Sequence, residues 1–441
     1  MRAWALARYP PARMATLSPV RTAKLPCACD LGIAWGDRLV LCDTRPDRSY
    51  VLDLDPWPMT PRPVVGLFAT SMAQTRSGRV FAVARHHHQN PYKLYELDLA
   101  SAQVRPHPVE APWHDITSVF AVGERVVLVP GGDLRASGHR PAWWHEGGRV
   151  EALDLPTPEP PAPMEWQGRS LGRPAPQDRV DVIALPDDEA LVVWFERLYR
   201  VTLDGVTPTA LDGLFAAWEP LREGRHSGLD DQGRALTIVH DHFVALDRDG
   251  VLSEVVPGAY PVRSAVRGPE DTWFLVCGET LLWVFPRARE VVELDLRPMR
   301  LAPTMALFCP KPLWVAARDE LLVLHSHDVH AFDLGALRGH TRLSWDKLAK
   351  KRVASRRSLW NRKLKAAHAA PMALDALSQH TRGGSVVEHP RYGVGVVQHA
   401  TESSHRGVTT VVATVLFEDG GRQFYFAGDR WIERPWSLGL G

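Results

Sequence analysis

Tyr50-Val51-Leu52-Asp53, Leu94-Tyr95-Glu96-Leu97-Asp98 and Val150-Glu151-Ala152-Leu153-Asp154 repeat one pattern, an apolar strand closing on a large apolar residue and an aspartate. The pattern returns as Leu198-Tyr199-Arg200-Val201-Thr202-Leu203-Asp204, Phe243-Val244-Ala245-Leu246-Asp247, Val291-Val292-Glu293-Leu294-Asp295 and Val329-His330-Ala331-Phe332-Asp333. Successive aspartates lie 45, 56, 50, 43, 48 and 38 residues apart. A strand-built period of this length indicates repeated sheets arranged radially, as in a β-propeller.

A second repeat precedes the first in every unit. Polar turns such as Gly36-Asp37-Arg38, Ser77-Gly78-Arg79, Gly123-Glu124-Arg125 and Gln232-Gly233-Arg234 lead into Leu39-Val40-Leu41, Val80-Phe81-Ala82-Val83, Val126-Val127-Leu128-Val129 and Ala235-Leu236-Thr237-Ile238-Val239. Gly and Asp suit hairpin turns. Continuous Val/Leu/Ile runs suit strands covered on both faces, as inner strands are between neighbouring sheets. The units run from about Cys27 to about Leu337. The expected fold is all-β: a seven-bladed propeller over residues 1–337, a basic helical connector over 338–381 and a small SH3-like barrel over 382–441. The last unit lacks an outer strand of its own. The reading therefore expects an N-terminal segment, Ala3–Leu6 or the residues just after, to close that blade and remove a free sheet edge. The Val-x-Ala-Leu-Asp pattern resembles the blades of quinoprotein-like and related bacterial propellers, without the Gly-His and Trp-Asp marks of WD40 repeats.

The net charge of the 441-residue chain is +1, so the molecule as a whole does not advertise a polyanionic partner. Its five cysteines, Cys27, Cys29, Cys42, Cys277 and Cys309, are odd in number and scattered, which argues against a disulfide framework. Met1–Val20 has no continuous apolar core of the kind a signal peptide needs, and no apolar run is long enough to span a bilayer. A cytoplasmic location is expected.

Insertions are longest around the third unit. One runs from Gly131 to Trp143-Trp144-His145; the other is the proline-rich Pro156–Pro163. Trp143, Trp144 and Trp166 would form a partner-binding patch if exposed, or would cover the ring edge as packing.

From Arg338 to Lys365 eleven basic residues meet one acid, Asp346, which leaves the rest of the chain net acidic. Lys350, Lys351, Arg356 and Arg357 lie at its centre. The run either contacts nucleic acid or an acidic protein, or packs its basic face on the propeller. Ser344 is a candidate N-cap for a helix with Trp345, Leu348, Leu359 and Leu364 as its apolar stripe. A second short helix is expected from Pro371 to near Gly383.

Beyond it, Gly384-Ser385-Val386-Val387-Glu388-His389-Pro390-Arg391-Tyr392-Gly393-Val394-Gly395-Val396-Val397, then Val411–Gly420, then Gln423–Phe426, spell strand, glycine kink, strand, Asp-Gly hairpin and strand. This stretch resembles the SH3- or Tudor-like module at the C-terminus of UvrD/PcrA-type helicases, and that of transcription-repair coupling factors and CarD-type regulators. The resemblance covers about 382–434 and implies a small barrel with RNA polymerase as a partner, His389 and Tyr392 being candidate contact residues. No Gly-x-x-x-x-Gly-Lys-[Ser/Thr] motif accompanies it.

Histidines are the candidates for chemistry: His86-His87-His88, and His325, His327 and His330 around a hairpin with Asp328. His325 and His327 on one strand face could reach one metal, but a polar hairpin tip accounts for them as well, and no complete ligand set is spelled out. No metal, no cofactor and no catalytic residue is expected. The aspartates recur in every unit, which marks them as turn residues.

The favoured function is therefore a non-enzymatic scaffold offering a propeller face to a partner protein. The overall character is similar to the propeller components of bacterial systems that pair a MoxR-type ATPase with a von Willebrand A protein. The alternative is a nucleic-acid- or RNA-polymerase-associated factor acting through connector and barrel. A quinoprotein-like propeller enzyme is the third reading.

Overall fold

The refrain and the turn motif become strands of successive antiparallel sheets. The structure, a computed structural model, describes residues 15–16, 19–26, 31–42, 49–55, 57–64, 68–85, 91–132, 134–157, 164–166, 169–172, 180–195, 197–209, 228–239, 242–256, 262–277, 279–296, 310–325, 327–367, 370–377, 383–405, 408–418, 420–427 and 430–433. The first sheet comprises Leu31–Trp35, Arg38–Cys42, Ser49–Asp53 and Thr60–Val64 in that spatial order. The second repeats the plan with Phe68–Gln74, Val80–Arg85, Lys93–Asp98 and Gln103–Pro106. Four-stranded sheets of the same order follow from Ile116, Val180 and Gly228, and the sheet that starts at Val262 adds Ala15–Thr16, parallel, and Leu343–Ser344 along Glu290–Asp295.

Alternation of side chains across each strand sends one set of residues to each neighbouring sheet. Val40 and Val51 of the first sheet pack with Val80 and Ala82 of the second. Phe81 and Val83 of the second meet Val126 and Leu128 of the third. The scheme continues sheet by sheet: Val127 with Val192, Leu191 with Val244, Ile238 with Leu275, and Phe274 with Leu321. Leu322 and Leu324 of the last sheet then pack with Leu39, Leu41 and Leu52 of the first. The stack returns to its start, so the sheets form a ring, a β-propeller.

The ring is shut by an early strand. Arg21–Lys24 pairs antiparallel with Asp328–Asp333, Thr22 opposite His330, and completes the sheet formed by Lys311–Val315, Glu320–His325 and Asp328–Asp333. The strand lies well beyond the expected segment, starting at Arg21; Ala3–Leu6 lie outside the described residues.

Ion pairs tie the turns of one ring face across sheets. Arg76 meets Asp188 at 3.4 Å, Arg248 meets Asp187 at 2.5 Å and Arg287 meets Asp231 at 3.4 Å. A deeper clamp joins the second and third sheets. Arg79 donates to Glu96 from Nε at 2.7 Å and to Glu146 from Nη1 at 2.6 Å, while His107 Nε2 lies 2.9 Å from Glu96. The hydrogen bond from Arg79 holds the Glu96 carboxyl at a pKa of about 2 against the opposing effect of burial, and His107 adds to the depression.

After Asp333, whose carboxylate caps the short helix Leu334–Arg338, the chain enters the connector helix Trp345–Ala367. Ser344 caps this helix, accepting from Lys347 N at 3.4 Å. Over the described residues 371–377 the expected second helix does not form. Met372–Ala373 pairs parallel with Val387 and Glu388, and Leu374–Ala376 makes one 3-10 turn. The C-terminal sheet runs through Val386–His389, Gly393–His405, Val408–Phe417, Gly420–Ala427 and Arg430–Glu433. It wraps a core of Val387, Val397, Val415, Phe417 and Phe424. Gly395 sits where an added Cβ would lie 2.5 Å from Val415 Cγ1, so the glycine permits the close approach of strands there.

Candidate interaction surfaces

The connector helix has two different neighbours. Its first turns lie on the propeller: Leu348 is buried in the core cluster shared with Trp273 and Val291, and Leu343 and Trp345 pack beside it. Trp345 Nε1 donates to the Glu290 carbonyl at 3.3 Å. Glu293 of the refrain strand Glu290–Asp295 has a buried carboxylate, and Lys351 and Arg352 close on its two oxygens, Arg352 at 3.2 Å. Farther along, Trp360 Nε1 donates to the Val394 carbonyl of the C-terminal sheet at 3.3 Å, and Arg357 pairs with Glu418.

The basic run is therefore divided. Arg338, Arg342, Lys351, Arg352 and Arg357 meet carboxylates of the folded chain. Lys347, Lys350, Arg362, Lys363 and Lys365 are exposed and form no ion pair among the described residues. Of the four central candidates, Lys350 points to solvent and Lys351 and Arg357 are engaged internally. Arg356 is helical, and its side chain lies outside the described residues.

Of the two alternatives for Trp143 and Trp144, exposed patch or packing, their burial fits packing, so they form no exposed partner-binding patch. They do not sit in an insertion loop but in the strand Ala142–Trp144, third in its sheet, and are 4% and 6% exposed. Trp143 joins the core toward the next sheet, with Arg125 stacked 3.7 Å over its ring. Trp144 packs edge-on against Phe81 and His107 and donates Nε1 to the Pro108 carbonyl at 3.1 Å. Two large rings gain more from the inter-sheet core than from water, and the refrain strand Val150–Ala152 is displaced to the outer position. Trp166 belongs to a hairpin, Met164–Trp166 with Arg169–Gly172. Its side chain lies outside the described residues, but the hairpin backbone lies against Val408–Phe417 and Gly420–Ala427 of the C-terminal sheet.

His389 and Tyr392, named as candidate contact residues, lie side by side. Their rings stack with centroids 4.7 Å apart, next to Phe417 and Phe424, and both are half-buried. The guanidinium of buried Arg422 lies 3.7 Å over the Tyr392 ring. His389 Nδ1 accepts from Arg391 N at 3.1 Å, which fixes the turn.

The histidine hairpin is arranged differently from the expectation of a shared strand face. The strand ends at His325, and His327 lies exposed in the turn. His330 is buried under the closing strand, with Nδ1 3.2 Å from Thr22 Oγ1. Burial pushes the pKa of both His325 and His330 down. Among the described residues no group of three or more His, Cys, Asp or Glu is placed to hold a metal ion; His86–His88 lie outside them. No described helix is long and apolar enough to cross a membrane.

Two features escaped the sequence reading. Glu293 looks like an ordinary polar position of the refrain, and its partners are 58 and 59 residues away. The hairpin of Trp166 follows a proline-rich stretch that carries no strand signal.

No protein-family model matches the chain, and no curated protein matches it. Solved structures do. Virginiamycin B lyase from Staphylococcus aureus aligns at 10% identity and a TM-score of 0.47, covering 70% of this chain and 97% of that one. YCF48 bound to D1 peptide aligns at 12% identity and 0.45, covering 73% and 97%. PorZ of the Porphyromonas gingivalis type-IX secretion system aligns at 10% identity and 0.43, covering 93% and 46%. At these values the likeness says nothing about activity or partner.

Proposed function

We propose that the chain is a non-enzymatic cytoplasmic scaffold: a seven-bladed β-propeller that offers a ring face to a partner protein while a helix holds an SH3-like barrel beside it. The observation that carries this reading is the grip of Lys351 and Arg352 on the buried Glu293 carboxylate. A helix fixed there and again at Val394 makes one continuous surface of two modules. The hairpin at Met164–Gly172 supplies a second tether from ring to C-terminal sheet. Such bracing has little use if each module acts alone, and it suits a partner that spans both.

A MoxR-type ATPase and a von Willebrand A protein are the partner classes to try first. The test is affinity capture with the intact protein and with Glu293→Ala, followed by a measured Kd for the recovered partner. Weakening of at least tenfold in the variant supports a composite surface. Equal affinity for both proteins, or turnover of a small molecule by the purified chain, would overturn the proposal.

A further inference from the structure

We propose that the solvent face of the connector helix is a docking strip for the phosphodiester backbone of duplex nucleic acid, engaged without regard to base sequence. Lys347, Lys350, Arg362 and Lys365 are all exposed. With about 3.6 residues per turn they fall within roughly one third of the helix circumference, turned away from Leu348 and Arg352, which face the propeller. None of the four forms an ion pair among the described residues, although five other cations of the same run do. Lys351, Ala354, Ser358 and Asn361 lie in the same sector; the Lys351 ammonium is drawn to Glu293, and the other three side chains are small and uncharged. The result is a low, straight ridge about 27 Å long at roughly 1.5 Å per residue, with charges at both ends and small side chains between.

Three observations choose the occupant. First, the described carboxylates that the run meets, among them Glu290, Glu293 and Glu418, pair with Arg342, Lys351, Arg352 and Arg357, which leaves the four strip cations for an external anion. Second, the helix cannot lie in a bilayer. Interfacial helices insert an apolar face, and here Trp345 and Leu348 are committed to the propeller core and Trp360 to the C-terminal sheet. Third, the helix is braced at both ends, so its cations keep a fixed spacing, which suits a stiff polyanion with regularly placed phosphates better than a flexible acidic peptide. Two acids border the strip. Asp346 lies at its beginning, and Glu418 is already paired with Arg357.

The charge census fixes the size of the effect. Four phosphate contacts give a slope of log affinity against log salt of about −3.6 for duplex DNA, which is roughly a hundredfold loss between 50 and 200 mM salt. The experiment is fluorescence anisotropy of the full chain with two labelled 24-base-pair duplexes of unrelated sequence across that salt range. The expected result is equal affinity for both duplexes, the steep slope, and loss of binding in Lys347→Glu/Lys350→Glu/Arg362→Glu/Lys365→Glu. The four-glutamine counterpart should weaken binding with an unchanged melting temperature, which separates lost charge from lost fold. Lys93→Glu/Arg105→Glu, which reverses two exposed cations of the second sheet, should bind as the parent does. The proposal is overturned by no binding at 50 mM salt, by a flat salt dependence, or by full binding in the quadruple variant. Preferential capture by phosphatidylserine vesicles, or displacement of duplex by an equal charge of polyglutamate, would also overturn it.

Discussion

Arg352 donates from Nη2 to Oε1 of Glu293 across 3.2 Å, and the carboxylate it meets is only 4% exposed. Lys351, the preceding residue, takes the other oxygen. Adjacent helical residues point about 100° apart, so the two cations straddle the carboxylate from either side of the helix. The helix cannot roll or slide without leaving a charge buried and unpaired.

Replacing Glu293 with alanine should therefore cost about 1–2 kcal/mol, because it removes the shared acceptor of two charged hydrogen bonds while water can still reach Lys351 and Arg352. The loss should be local to the connector. Limited trypsin digestion checks it: the variant should be cut within 345–367 well before the ring, and the parent should not. Indistinguishable digestion would mean that the apolar contacts of Leu348 and Trp345 hold the helix unaided.

The closing strand should matter as much as any inner strand. Ala23→Pro, two residues before Leu25, whose N–H donates to the His327 carbonyl, removes a backbone donor from the pairing with Asp328–Asp333 and forces a kink there. The expected outcome is a drop in melting temperature and a shift to higher oligomers on size-exclusion chromatography, since an unpaired sheet edge recruits other edges. A monomer melting as the parent does would show that the ring stands without its latch.

Acid should loosen the ring at two seams in succession. Burial lowers the pKa of His330, with Asp328 opposing and His325 and Lys24 reinforcing the shift. Its stabilising effect is complete above its unfolded value of about 6.5 and is lost as pH falls from there toward the folded value. Glu96, held at about 2 chiefly by Arg79, contributes stability above its unfolded value that fades as pH falls below about 4.5. Melting curves from pH 8 to 3 should show both declines. His330→Asn should flatten the first, and Glu96→Gln the second.

Gly395→Ala should destabilise the C-terminal sheet by about 1–3 kcal/mol, because the new methyl collides with Val415 and Phe417. Gly421→Ala is the control, since a Cβ there meets nothing within 4 Å. Chemical denaturation followed by tryptophan fluorescence should separate the two. Equal midpoints would show that the strands can part to admit a methyl group.

The ring was legible in the sequence because its determinants are local: an Asp or Gly turn, a doubly covered strand, a refrain. Leu39 and Val40 read as buried from their neighbours alone, and both are. The reading slipped where a choice depended on distant packing. Val150–Ala152 carries the refrain yet is an outer strand, because Trp143 and Trp144 fill the inter-sheet space better than Val150 would. The fate of the basic run was half legible. Its charge is evident from the chain, but which cations are internally matched depends on carboxylates such as Glu290, Glu293 and Glu418, far away in sequence. The stacking of His389 on Tyr392 was within reach, since the turn between them is short and glycine-bound.

Thr22 and His330 touch although 308 residues separate them. On a ribosome adding roughly 5–20 residues per second, the first of these strands is made about 15–60 s before its mate exists. For that interval the growing chain is an open arc with a raw edge at each end. Whatever shields those edges in the cell must act during translation, and it must let go only once the final sheet has emerged.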